Sequence, residues 1–244
     1  MLRHTGERRS FAHNLRLAIL LCLNAGFINA AGFIAFAVLT TNVTGHAALL
    51  AVNLSTGQLR AARMVALWLL LFLAGAFISG LYIGKTGRDK RFAYTVPIMV
   101  IVLLILIVAV FGHDYQHTLP ETEYFAGSLL FAMGMQNALV SMVSGSVVRT
   151  THLTGMFTDL GIDLSAALLA RKPVQRATRR RILLRLCIII FFLLGGLAGG
   201  FAYLNLRFNA FYIPVGLLLI TLSYDYFRVR VVGLMLRHRR YGRN

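Results

Sequence analysis

Apolar residues in this chain come in long blocks, not in alternation with polar ones. The blocks are Ala18–Leu39, Val65–Gly84, Phe92–Phe111, Tyr124–Val143, Ile182–Leu204 and Phe211–Phe227. Each is about as long as the 17–25 residues a helix needs to cross a bilayer. Strands of a membrane barrel would alternate apolar and polar positions, and these blocks do not. The pattern predicts an all-α polytopic membrane protein with about six transmembrane helices, forming a single membrane domain over residues 1–244. The first block follows Arg3–Arg16 and could be mistaken for a signal peptide, with Ala35-Phe36-Ala37 as a cleavage-like site. It is longer than a signal-peptide core and carries Asn24 and Asn29, so it reads as a retained first span.

Two polar breaks between the blocks repeat one phrase. Thr40-Thr41-Asn42-Val43-Thr44-Gly45 returns as Thr150-Thr151-His152-Leu153-Thr154-Gly155. Upstream, Gly26-Phe27-Ile28-Asn29-Ala30 is echoed by Gly134-Met135-Gln136-Asn137-Ala138, and downstream Asn53-Leu54-Ser55 is echoed by Asp163-Leu164-Ser165. In a membrane protein, a pair of interrupted segments at corresponding places in two halves points to a binding site.

Charge gives these breaks a direction. Lysine and arginine collect near the N-terminus (Arg3, Arg8, Arg9, Arg16), at Lys85–Arg91, at Arg171–Arg181 and in the tail from Arg228. Cytoplasmic loops carry such an excess, so both termini are expected in the cytoplasm. The loop from Gly112 to Glu123 has neither residue and is expected outside. If Thr41–Leu59 or Thr151–Ala170 crossed completely, the basic segments that follow would lie outside. Each motif segment is therefore expected to start and end on one side, as a re-entrant or broken half-helix. Arg60 and Arg63 oppose this in the first half, and the four basic residues of Lys85–Arg91 outweigh them. A surface amphipathic helix is the plainer alternative. The result is an inverted-topology 3+3 repeat, residues 15–111 and 122–228, with one motif entering from each side.

The net charge of +17 sits in segments flanking apolar blocks, so it suits anionic lipid head groups at the cytoplasmic face and not nucleic acid. Cys22 and Cys187 lie inside predicted spans and build no disulfide framework or metal motif.

Candidate site residues follow from the repeat. Thr41, Asn42, Thr44 and Gly45, with Thr151, Thr154 and Gly155, combine hydroxyls and amides with glycines that permit tight turns. Thr44 and Thr154 are also fair helix N-caps, and a half-helix N-terminus would offer donors and partial positive charge to an anion, a carboxylate or a neutral polar solute. Asn29, Gln136 and Asn137 can contact a solute or glue helices together. Asp159 and Asp163 share a helix face and are candidates for proton coupling. Alternatively, Asp159 rests in a first helical turn while Asp163 faces water or pairs with Arg149 or the basic loop. His46 and His152 could titrate near neutral pH, and with no acidic ligand set they make no metal site. Gly80/Gly84, Gly195/Gly199 and Gly196/Gly200 have the small-xxx-small spacing of close helix packing, within a protomer or in a homo-oligomer. Tyr203, Tyr212, Tyr224 and Tyr226 read as interface anchors. No catalytic residue, cofactor or enzyme activity is expected, since no Walker loop, dinucleotide fingerprint, nucleophile elbow or HExxH occurs.

Together, Gly26–Ala30, Thr41–Gly45, Gly134–Ala138 and Thr150–Gly155 resemble the YoaK-like (DUF1275) family of bacterial integral membrane proteins over nearly the whole chain. In that pattern an asparagine often follows the first Thr-Gly, where this chain has His46, and an aspartate is common at the position of Asn29. The resemblance implies a multi-pass protein of the bacterial inner membrane and assigns no activity. The residues themselves favour a secondary transporter or channel-like permease for a small polar solute, bound at the repeat interface. The alternative is a membrane-embedded interaction or lipid-binding protein with a basic cytoplasmic face.

Overall fold

The computed structural model describes residues 11–87, 90, 92–170 and 175–223, and every described element is a helix or a turn between helices. In chain order they are α1 (Phe11–Phe36), α2 (Val43–Ser55), α3 (Leu59–Thr86), α4 (Phe92–Phe111), α5 (Leu119–Ser144), α6 (Leu153–Leu169), α7 (Arg176–Leu206) and α8 (212–223). Short 3-10 turns at Gly112–Asp114 and Arg207–Phe211 precede α5 and α8.

Length and apolarity mark five stretches as able to cross a membrane, the last running from Arg176 to Ser223. A straight helix of those 48 residues would be about 70 Å long, more than twice a hydrocarbon core of roughly 30 Å. Arg207, at φ 50°, ends α7 and the 3-10 turn folds the stretch into two helices. The predicted end of the sixth block (224–227), Tyr224, Tyr226, the tail arginines and much of the basic N-terminus and loops lie outside the described residues. The helices otherwise outrun the apolar blocks: α3 starts at Leu59 and α7 at Arg176, because exposed arginines lower hydropathy without breaking a helix. The first helix instead stops early, at Phe36, where Ala37 takes a left-handed φ of 57°.

The motif helices are not among those five stretches. At 13 and 17 residues, α2 and α6 are about 20 and 25 Å long. Each follows a non-helical connection and packs on the helix after it, α2 on α3 and α6 on α7.

The core is built by helices distant in sequence. α1 lies along α7, and α3 along α5. Glycines set both distances. A Cβ at Gly26 would strike the Phe192 carbonyl, and one at Gly195 the Leu23 carbonyl. The other pair has the same arrangement, with Gly134 on the Phe72 carbonyl and Gly75 on that of Phe131. Small residues let backbones approach where lipid offers no hydrophobic drive for helix association. Gly80 and Gly84, by contrast, face little or nothing.

Between the pairs, α1 meets α5 through Asn24, whose Nδ2 donates to Gln136 Oε1 at 2.7 Å, while Gln136 Nε2 donates to the Leu21 carbonyl at 3.0 Å. One end of the molecule is closed by aromatic rings. Phe208 contacts Phe36, Tyr115, Tyr203 and Phe211, and Tyr203 is buried there instead of anchoring at an interface. The outward faces stay apolar: Leu70, Leu73 and Phe77 on α3 and Leu197 and Phe201 on α7 are each at least 60% exposed. Such a surface is stable against acyl chains, not against water.

Candidate functional site

The two motif copies reach the same place by similar routes. After α1 stops at Phe36, the chain doubles back and the Thr41 N–H donates to Asn29 Oδ1 at 3.1 Å. Asn29 lies seven residues before that helix end, so the connection has returned about 10 Å along α1 before α2 begins. Asn42 caps α2, its Oδ1 accepting from the Gly45 N–H at 2.9 Å. After α5, Gly145 and Ser146 both take left-handed conformations, at φ 62° and 64°. The Ser144 hydroxyl then accepts the Val148 N–H at 2.9 Å, which folds the chain back towards the start of α6. His152 occupies the N-cap position of α6 without a side-chain capping bond.

Between the starts of α2 and α6 is a cavity of about 630 Å³. The motifs line it in matched pairs: Asn29 with Asn137, Thr41 with Thr151, Thr44 with Thr154, and Asn42 with His152. Phe72 and Phe192 contribute a ring each from near the middles of α3 and α7. Ser141, Ser146 and Arg149 add polar groups from the second half alone. The lining thus presents hydroxyls, amides and one guanidinium between two aromatic rings, at mid-helix depth in the bundle.

Thr44 and Thr154 have a different local role from the expected one. They are not N-caps; they sit in the first turns of their helices, one residue after Val43 and Leu153. Capping falls to Asn42, and the threonines line the cavity instead. Asn29 holds the first motif through its Oδ1, whereas the buried Oδ1 of its counterpart Asn137 has no partner among the described residues.

Three residues expected to bind solute are not in the lining. Gln136 is buried at 1% exposure and spends its amide on Asn24 and Leu21, bridging α5 to α1. Gly45 and Gly155 lie under their own N-cap residues, where a Cβ would strike the Asn42 side chain or the His152 ring. Their smallness shapes the turn. His46 is also elsewhere, buried with its ring 5.4 Å from that of Trp68.

Asp159 and Asp163 lie outside the lining too, in an ion-pair cluster between α6 and α7. Arg185 Nη1 bonds Asp163 Oδ2 and Nη2 reaches Asp159 Oδ2 at 3.1 Å. Arg181 adds a second guanidinium to Asp163, with Nη2 to Oδ1 at 3.1 Å and Nε to Oδ2 at 3.3 Å. Asp159 is also beyond the first turn of α6, the seventh residue from Leu153. In this geometry the two carboxylates tie α6 to α7 through two arginines, away from the cavity lining. The partner anticipated from the basic loop is Arg181, and Arg149 points to the cavity instead. Sequence reasoning missed the cavity role of Arg149; the available signal was a charged residue inside a motif connection whose counterpart in the first copy is Leu39.

The fold and its outward apolar faces define a multi-pass α-helical membrane protein in which two short helices begin at one cavity. The chain belongs to the DUF1275 family, described as proteins of unknown function, whose profile matches residues 17–224. It is similar to the UPF0700 transmembrane protein YoaK of Bacillus subtilis (strain 168), at 25% identity over 181 residues, covering 74% of this chain and 80% of that protein. No solved structure matches it.

Proposed function

We propose that the protein is a small secondary transporter or channel-like permease of the bacterial inner membrane, and that a small polar solute binds in the cavity between α2 and α6. The observation that carries this reading is that both copies of the threonine phrase line one cavity, near the middles of α3 and α7. Irregular backbone at membrane depth is tolerated where it is buried in protein or lines a wet cavity, and binding sites of transporters sit at such broken helices.

The proposal includes an inverted-topology repeat. Supporting it are the matched pairings of α1 with α7 and α3 with α5, and the corresponding glycine-on-carbonyl contacts in each. The distribution of lysine and arginine supports an orientation with both termini in the cytoplasm, α2 entering from outside and α6 from inside.

The test is solute flux into liposomes carrying purified protein, with neutral, anionic and cationic solutes. Thr44→Val and Thr154→Val together keep side-chain volume and remove both hydroxyls. The double variant is expected to lose about tenfold or more of the wild-type flux, since each lost hydrogen bond is worth about 1 kcal/mol. Wild-type flux in that variant would refute the assignment of the site.

A second reading is a membrane-embedded lipid-binding or interaction protein, favoured by the exposed Arg179 and Arg180 at the start of α7. On that reading, neutralising them abolishes binding to vesicles rich in anionic lipid, while the threonine double variant leaves it intact.

A further inference from the structure

We infer that the cavity takes an anion, and that Arg149 is the charge that binds it. This deepens the permease reading, and its flux arm rests on that reading.

The cavity has one sign of charge. Among the described residues, Arg149 is the one charged side chain in its lining, beside the imidazole of His152, and no carboxylate reaches it. The described carboxylates are committed elsewhere. Asp159 and Asp163 pair with Arg185 and Arg181, and Asp114, Glu121 and Glu123 lie at or before the start of α5, the far end of that helix from Ser141 and Ser146. Arg149 has no acidic partner among the described residues. Its recorded polar contact is Nη1 to His152 Nδ1, at 3.4 Å. A guanidinium offers five N–H donors, so most of its capacity remains for a ligand. Arg149 is exposed, so its guanidinium is open to a ligand that enters the cavity.

Backbone donors in the same wall reinforce that charge. Val43, Thr44, Leu153 and Thr154 all line the cavity and all belong to first helical turns. N–H groups there have no carbonyl of their own helix to bond. The positive ends of α2 and α6 therefore converge on the space that Arg149 lines. A cation would meet three repulsive sources, and a neutral solute would leave the guanidinium without a charged partner.

One full positive charge suits a singly charged anionic group. A cavity of about 630 Å³ admits a small carboxylate as readily as an inorganic ion, and Phe72 and Phe192 offer apolar walls to the former. The shared chemistry is the anion; the test separates the two sources.

The experiment uses full-length protein in liposomes, with swelling followed by light scattering. External solutes are glycerol, choline, and the potassium salts of chloride, nitrate and pyruvate, with valinomycin to carry potassium. Anion-driven swelling is expected to exceed that with glycerol or choline. Pyruvate ahead of chloride and nitrate identifies a carboxylate site, and the reverse order an inorganic one. Arg149→Gln is expected to lose about tenfold or more of anion flux, and Arg149→Lys, which keeps charge but not the fork, to retain part of it. Glycerol or choline flux with anions excluded overturns the anion assignment, anion flux unchanged in Arg149→Gln overturns the role of Arg149, and either result leaves the permease reading standing. A second arm measures binding of labelled chloride and labelled pyruvate to wild-type protein in nanodiscs, with competition by unlabelled anion and by glycerol. Competable anion binding without any flux keeps the anion site and removes the permease reading. Neither binding nor flux removes both. The wild-type arms decide the question even if Arg149→Gln fails to fold.

Discussion

The helices α2 and α6 open on the same phrase but are held in place by different chemistry. The first is capped by Asn42 and rests on α3 through the rings of His46 and Trp68. The second has no side-chain cap and is tied to α7 by the ion pairs of Asp159 and Asp163 with Arg181 and Arg185. The shared threonines and the pair Asn29 and Asn137 face the cavity, while the contacts that fasten each helix differ between the copies. Such a division is expected if the shared positions serve one site from two sides while each helix is free to solve its own packing problem.

The most severe way to break this comparison is to cut the ionic fastening. Asp163 is 7% exposed, so Arg185→Ala leaves a nearly buried carboxylate short of a partner. The expected cost is about 3 kcal/mol, at the low end for a broken buried pair because Arg181 remains. Thermal unfolding of purified protein in detergent reads it as a lowered midpoint. Asp159→Leu and Asp163→Asn copy Leu49 and Asn53, and Arg185→Val copies Val65, which stands seven residues before Phe72 as Arg185 does before Phe192. With only the exposed Arg181 left without its carboxylate, that triple variant is expected to be more stable than Arg185→Ala alone; the opposite ranking would deny the ion pairs their fastening role.

Next in size is the glycine packing that both halves share. Gly26→Ala and Gly134→Ala each drive a methyl into a facing carbonyl and should cost about 1–3 kcal/mol by the same assay. Gly84→Ala, with open space around it, is the control and should leave the midpoint unchanged. A smaller effect comes from the caps. Asn42→Ala is expected to cost about 1 kcal/mol. His152→Ala should cost less, because His152 makes no capping bond. Equal losses would mean the two helix starts are held alike.

The smallest effect is expected at His46→Met, which copies Met156. The His46 Nδ1 and Trp68 Nε1 are buried without partners among the described residues, so exchanging the imidazole for an apolar side chain should change the midpoint by less than about 1 kcal/mol, in either direction. A large loss would reveal a polar contact that the ring geometry does not account for.

The helices and the motif residues were legible in the sequence for the same physical reason. In a chain this apolar, long blocks fix the spans and polar interruptions stand out, so Asn29, Thr41, Thr44, Asn137, Thr151 and Thr154 could be named from sequence as candidates, and all line the cavity. Phe72 and Phe192 could not be found that way, since an aromatic ring inside a span looks like any lipid-facing one. Gln136 was misleading through its neighbour: adjacent helix residues point about 100° apart, so Asn137 lines the cavity while Gln136 turns to α1. Periodicity assigned Asp159 and Asp163 to one face correctly but carried no information about which face α7 would cover. Local sequence also gave no sign that Asn42, and not Thr44, would cap α2, because both are competent and the backbone path decides.

The pairing of α1 with α7 and of α3 with α5 has a consequence for how the protein is made. Chains emerge N-terminus first. When α1 enters the bilayer with its buried face of Leu17, Leu21 and Phe27 and its amides Asn24 and Asn29, Leu23 has no Gly195 to meet and Gly26 no Phe192 carbonyl, because α7 has not been synthesised. Asn24 likewise waits for Gln136. The amino-terminal helices must therefore be inserted as a loose, partly polar set and held in lipid until the last third of the polypeptide arrives to close the bundle. Assembly order, as much as the finished packing, depends on that delay.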